Sequence, residues 1–224
     1  MKPAVVLLAA GSGSRFGHAT NKVWLDLSGM SVICRTITNA HKAFPEARLL
    51  LIINQDDEAM AREIMAKEIP NINIEITYGG TTRHGSEYQA LMHLKSGINS
   101  GDVDVVLIHD GARPLATPNL YKKIAEVAFE KGGAIPTTTI NPVEIDLSHD
   151  TQIVRVQTPQ GFRAKELLKA YESAEVDGFV GTDTGACVES YFPEIKAVAV
   201  DAEVANLKIT FAQDLKVAAA LLTS

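Results

Sequence analysis

The chain has 224 residues, 46% of them hydrophobic and 21% charged, with a formal net charge of −6. Residues 1–224 suit one α/β domain, and a chain of this length buries roughly 70% of its unfolded surface or more without disulfides. The acidic balance argues against a nucleic-acid partner. No apolar run approaches the roughly 20 residues that span a bilayer. The two cysteines, Cys34 and Cys187, lack metal-like spacing and suit a reducing cytoplasm.

The first element is the apolar run Ala4 to Ala10, bounded by glycine and therefore read as a buried strand. It opens into Gly11-Ser12-Gly13-Ser14-Arg15 and reaches Lys22. Glycines let a ligand approach the backbone amides closely, and amides joined by Arg15 and Lys22 make a phosphate site. We therefore expect this loop to hold a nucleoside triphosphate. A dinucleotide motif needs a third glycine where Phe16 stands, and no Gly-Lys pair exists for a P-loop. A signal peptide is disfavoured because the apolar run is short and leads straight into the loop. A purely structural turn would explain the glycines but not the two cations.

Ser31 to Phe44 reads as a helix with Val32, Ile33, Ile37 and Ala40 on one stripe, followed by Pro45. Arg48 to Ile53 reads as a buried strand, Asp56 to Ile69 as an amphipathic helix, and Ile72 to Tyr78 as a strand. Gly79 to Ser86 is a second glycine-rich turn. Ser86 with Gln89 predicts a capping box for a helix through Lys95, at a strand-end rim where a ligand also binds.

Val103 to Ile108 is the third core strand, running into His109-Asp110-Gly111-Ala112-Arg113. Asp110 and Arg113 stand where Mg²⁺ and a phosphate meet, since Mg²⁺ takes one or two carboxylates plus substrate phosphates. The competing reading is an Asp–Arg pair that stiffens the loop. His109 faces away from Asp110 and reads as a packed core histidine. Thr117-Pro118 opens a helix that stops at Gly132. Strands follow at Ala134 to Thr139 and Ile153 to Val156, with a polar excursion at Asn141 to Asp150 between them. Then comes a helix from Arg163 to Ser173, and Gly181-Thr182-Asp183-Thr184 begins another through Tyr191. A strand at Ile195 to Val200 and a helix at Asp214 to Leu222, capped by Thr210 with Gln213, complete the chain. The strand–helix alternation predicts a largely parallel sheet with helices on both faces.

The stretches AAGSGSRFG with Lys22, GGTTRHGS, IHDGARP, QTPQGF and NLKIT occur in that order. Together they resemble the 2-C-methyl-D-erythritol 4-phosphate cytidylyltransferase family, with ribitol 5-phosphate cytidylyltransferases as near relatives. The resemblance spans essentially the whole chain. It implies a three-layer α/β sandwich with a Rossmann-like sheet, a projecting arm at about 140–157 and a homodimer. It implies transfer of CMP from CTP to a polyol phosphate, in isoprenoid precursor synthesis. Ala9, Ala10, Gly11, Gly13 and Arg15 would wrap the triphosphate, which Lys22 would reach. Gly80, Arg83, Ser86 and Thr158 would touch the nucleotide. Asp110 would hold Mg²⁺, Arg113 and Thr182 would sit by the acceptor phosphate, and Lys208 by the reacting phosphates. Asn21 replaces the family's usual proline. Ile140 and Asp150 align with the arm's threonine and arginine, so acceptor identity stays open. The alternatives are a ribitol 5-phosphate enzyme, a relative that binds CTP without turnover and, more distantly, a dehydrogenase.

Overall fold

A computed structural model describes residues 1–11, 21–139 and 154–223. Residues 140–153 of the expected arm, Ile140 and Asp150 among them, and the loop residues Gly13 and Arg15 lie outside the described residues. The described strands are β1 (Pro3–Leu8), β2 (Arg48–Ile53), β3 (Glu75–Tyr78), β4 (Val105–Asp110), β5 (Gly133–Thr139), β6 (Val154–Val156), β7 (Gln160–Arg163) and β8 (Val198–Asp201). The helices are α1 (Val32–Ala43), α2 (Glu58–Glu68), α3 (Arg83–Ser100), α4 (Pro118–Lys131), α5 (Ala164–Asp177), α6 (Thr184–Tyr191) and α7 (Ala212–Thr223).

The sheet runs β3-β2-β1-β4-β7-β5-β6, with β8 also paired to β5. Its β3-β2-β1-β4 half is parallel, whereas β7 is antiparallel to both β4 and β5. Uniformly apolar β1 is buried on both faces, and its alternation feeds two cores. Val5 and Leu7 pack with Ile33 of α1, Ala61 of α2 and Ile124 of α4. Ala4 and Val6 pack with Leu91 of α3, Leu167 of α5 and Val188 of α6. This is the expected three-layer α/β architecture with a mostly parallel core.

Local signals set most boundaries. Ser31 caps α1 by accepting from the Cys34 amide, and Thr117 caps α4 through the Leu120 amide, with Pro118 at the first helical position. Two expected caps differ. Thr82, not Ser86, caps α3: its hydroxyl accepts from Gly85 N at 2.9 Å, and Ser86 lies inside the first turn, donating to Thr82 O at 2.9 Å. The helix also runs past Lys95 to Ser100, where Gly101 ends it at φ +79°. Asp214 rather than Gln213 reaches back at the start of α7, accepting from the Thr210 and Phe211 amides at 2.7 and 2.8 Å. A three-residue spacing fits several neighbouring positions, and only the surrounding chain selects among them.

Candidate active site

The β1–β4 register aligns Leu8 with Asp110, so both chains leave the sheet side by side. This is where the strand order reverses, the place where open α/β sheets bind ligands. Gly111 makes the junction possible: its amide donates to Leu8 O at 2.9 Å, and a Cβ there would lie 2.9 Å from that same oxygen. Above the junction opens a cavity of about 610 Å³. Ala9, Ala10 and Gly11 line it from the end of β1, Gly80, Arg83 and Ser86 from the turn into α3, and Lys22, Asp110 and Lys208 complete it. Nine of the sequence-selected residues thus share one concave surface.

Three cations surround Asp110. Arg83 NH1 is 2.5 Å from Oδ1, while Lys208 Nζ and Arg113 Nε are 3.0 and 3.3 Å from Oδ2. Burial pushes the Asp110 carboxyl up, but the charges of Arg83, Lys208 and Arg113 overcome it and hold it well below the usual carboxylate range. Among the described lining residues Asp110 is the only carboxylate, and no described group of three or more His, Cys, Asp or Glu side chains suits a metal ion. The ionised Asp110 carboxylate on the cavity wall is the described residue that would hold Mg²⁺, an ion usually bound through one or two carboxylates plus substrate phosphates.

Arg113, Thr158 and Thr182 do not line the cavity. Arg113 lies behind Asp110, and its NH1 donates to Asn206 O at 2.7 Å. Both the ligand role and the loop-stiffening role were open for this residue, and the ion pair with Asp110 is the contact present. Asn206 is buried and donates to Gln157 Oε1 and Thr158 O at 2.7 and 3.0 Å, which fixes the segment carrying Lys208. Thr182 is exposed in the turn before α6.

Thr158 instead acts from below. Its Oγ1 accepts from the Asp110 amide at 3.0 Å and lies 3.0 Å from His109 Nδ1. His109 Nε2 is 3.3 Å from Arg113 O. A carbonyl only accepts, so Nε2 carries the proton, Nδ1 accepts from the threonine hydroxyl, and the imidazole is neutral. His109 is fully buried against Tyr121, as expected of a core histidine. Burial pushes its pKa down to about 3 from 6.5. The unfolded chain therefore takes up this proton first. The stabilisation is complete above pH 6.5 and is lost as pH falls towards 3, at about 1.4 kcal/mol per pH unit. Urea unfolding from pH 6.5 down to about pH 5 is expected to show this slope, and His109→Gln to reduce it by that amount. An equal slope in both proteins counts against the assignment.

Asn21 was singled out only as a departure from the family pattern, and its side chain has a clear part. Nδ2 donates to Ala9 O at 2.8 Å and Oδ1 accepts from Val23 N at 3.4 Å. It closes the gap between the end of β1 and the short helical turn that presents Lys22 (Lys22–Trp24). Asn21→Ala leaves the buried Ala9 carbonyl unpaired and is expected to lower stability by about 1–2 kcal/mol in urea titration. No change in midpoint would show that the tie is idle.

Residues 4–224 match the model of the family described as 2-C-methyl-D-erythritol 4-phosphate cytidylyltransferase. The chain belongs to that family. A cytidylyltransferase of this name from Bacillus cytotoxicus is 33% identical over 226 residues, covering 97% of this chain and 96% of its own. One from Geobacillus kaustophilus is 30% identical over 232 residues, covering 100% and 98%. The solved structure of 4-diphosphocytidyl-2C-methyl-D-erythritol synthase from Anaerococcus prevotii superposes with a TM-score of 0.80 at 27% identity, covering 100% of this chain and 96% of its own. Among the described residues no helix is long and apolar enough to cross a membrane.

Proposed function

We propose that the protein transfers CMP from CTP to 2-C-methyl-D-erythritol 4-phosphate with release of pyrophosphate. Family membership supports the reaction class. The observation that carries the reading is the cavity that Lys22, Arg83, Lys208 and Asp110 line together beside the amides of Ala9 to Gly11. A phosphate oxygen of the acceptor attacks the α-phosphorus of CTP. A new P–O bond forms as the bond from the α-phosphorus to the oxygen bridging to the β-phosphorus breaks, and pyrophosphate leaves with that electron pair.

Both reactants are anions, so the barrier lies in bringing them together and stabilising charge in the transition state. Lys22, on the glycine-loop side, and Arg15 are assigned to the leaving phosphates. Lys208 is assigned to the α-phosphate or the attacking oxygen. Arg113 is assigned to holding Asp110 rather than to the acceptor. No protein nucleophile is needed, because the attacking phosphate is already ionised. Asp110 is assigned to Mg²⁺, which when bound would neutralise triphosphate charge and polarise the α-phosphoryl group. A homodimer in a reducing cytoplasm belongs to the same reading, supported by the family pattern and by two buried, unpaired cysteines.

Pyrophosphate release from CTP and Mg²⁺, with 2-C-methyl-D-erythritol 4-phosphate or ribitol 5-phosphate in parallel, tests the reading. Faster turnover of the methylerythritol phosphate is expected. A reversed preference would reassign the acceptor, and CTP binding with no release from either would remove the transferase activity. Sedimentation of the full chain tests the dimer.

A further inference from the structure

Glu87 lies on α3 one turn after Arg83 and is 1% exposed, outside the cavity lining. Oε2 accepts from the Tyr171 hydroxyl of α5. Oε1 accepts from the Thr184 hydroxyl of α6 at 3.2 Å and lies 2.9 Å from Arg83 Nε. That buried Nε makes no hydrogen bond, so the carboxylate acts on the guanidinium through charge. Tyr171 is in turn stacked on His84, with ring centroids 4.5 Å apart. Burial pushes the Glu87 carboxyl up, by more than Arg83, Tyr171 and Thr184 pull it down; its ionised form rests on its contacts alone. Two hydroxyls donating to its two oxygens beside a cation are the pattern of a carboxylate.

The Arg83 guanidinium thus stands between two carboxylates, Glu87 behind and Asp110 in front. A residue that merely tied α3 to α5 and α6 would not need a charge, because apolar packing often replaces a buried ion pair at no loss of stability. Holding a cation against the attraction of a triphosphate does need one. We propose that Glu87 is a positioning residue for the transfer: it anchors Arg83 from behind, so that the guanidinium stays on Asp110 and fixes that carboxylate's orientation when the triphosphate arrives. The inference rests on the proposed CMP transfer.

Glu87→Gln keeps the shape and removes the charge. In pyrophosphate-release assays with CTP and methylerythritol phosphate, kcat is expected to fall about tenfold or more, with KM for CTP changed by less than about threefold. In an Arg83→Ala background, where the residue it acts through is gone, the same substitution is expected to leave kcat within about twofold. A helix-pinning role would instead give equal losses in both backgrounds, and that outcome overturns the proposal. So does wild-type kcat in Glu87→Gln alone. Should Glu87→Gln not fold, Tyr171→Phe keeps the carboxylate, removes one donor and is expected to lower kcat about threefold, again only when Arg83 is present.

A second readout needs no turnover. In NMR spectra of the arginine side-chain N–H groups, the buried Arg83 Nε–H, assigned by its loss in Arg83→Lys, is expected to be sharp in the wild type and broadened in Glu87→Gln. An unchanged signal overturns the proposal. Wild-type protein that releases no pyrophosphate defeats the transfer reading instead, and the spectra still decide whether Glu87 holds Arg83.

Discussion

Asp110→Asn is expected to lower kcat by about 10³, equivalent to about 4 kcal/mol of transition-state stabilisation. The carboxylate is buried, remains ionised and faces Arg83, Arg113 and Lys208 within 3.3 Å. An amide of the same size leaves three cations without their shared counter-charge and removes the one carboxylate among the described lining residues suited to Mg²⁺. Breaking such a buried cluster typically costs about 3–5 kcal/mol of stability, so unfolding must be measured beside activity. Binding offers a further check. The cavity of this variant is more positive, so CTP without Mg²⁺ is expected to bind as tightly as to the wild type or more tightly. Turnover within tenfold of the wild type would remove Asp110 from the chemistry, and weaker metal-free CTP binding would contradict the charge balance described here.

The second large effect is expected at Lys22. Lys22→Ala removes a cation from the glycine-loop side of the cavity, where the leaving phosphates are assigned. A fixed cation aimed at developing charge in a site shielded from water contributes about 3–4 kcal/mol, so kcat should fall about a hundredfold or more. Near-normal turnover would place Lys22 outside the mechanism. A rise in KM with kcat unchanged would mean that it binds CTP equally in the ground and transition states.

Much of this arrangement is legible along the chain. The run RLLLII is β2 from end to end, because a strand buried on both faces is apolar at every position. Thr117, Pro118 and Gly132 delimit α4 at both ends, since caps and stops act on the neighbouring backbone alone. The apolar run that ends in glycine, and the strand that ends in Asp110, mark two walls of the cavity. The strand β7 was not legible. Its QGFR carries one large apolar side chain, Phe162, and a glycine that packs closely on Leu107 and Ile124. Nothing in its own composition requires extended structure; the open edges of β4 and β5 impose it. Arg113 and Thr158 were legible as functional residues, yet their contacts turn towards Asp110 and His109 rather than into the cavity.

The sequence by itself determined the layered α/β class, the limits of α1 and α4 and the residue types that gather phosphate, because propensity, capping and apolar periodicity are properties of neighbours in the chain. Only the tertiary structure decided that Arg83 and Lys208 share one acid, that Arg113 braces it, that Lys22 lines the same cavity and that Glu87 stands behind Arg83. Charges act through space, at distances of a few ångström between segments far apart in sequence. Which of them meet is decided by strand order and register.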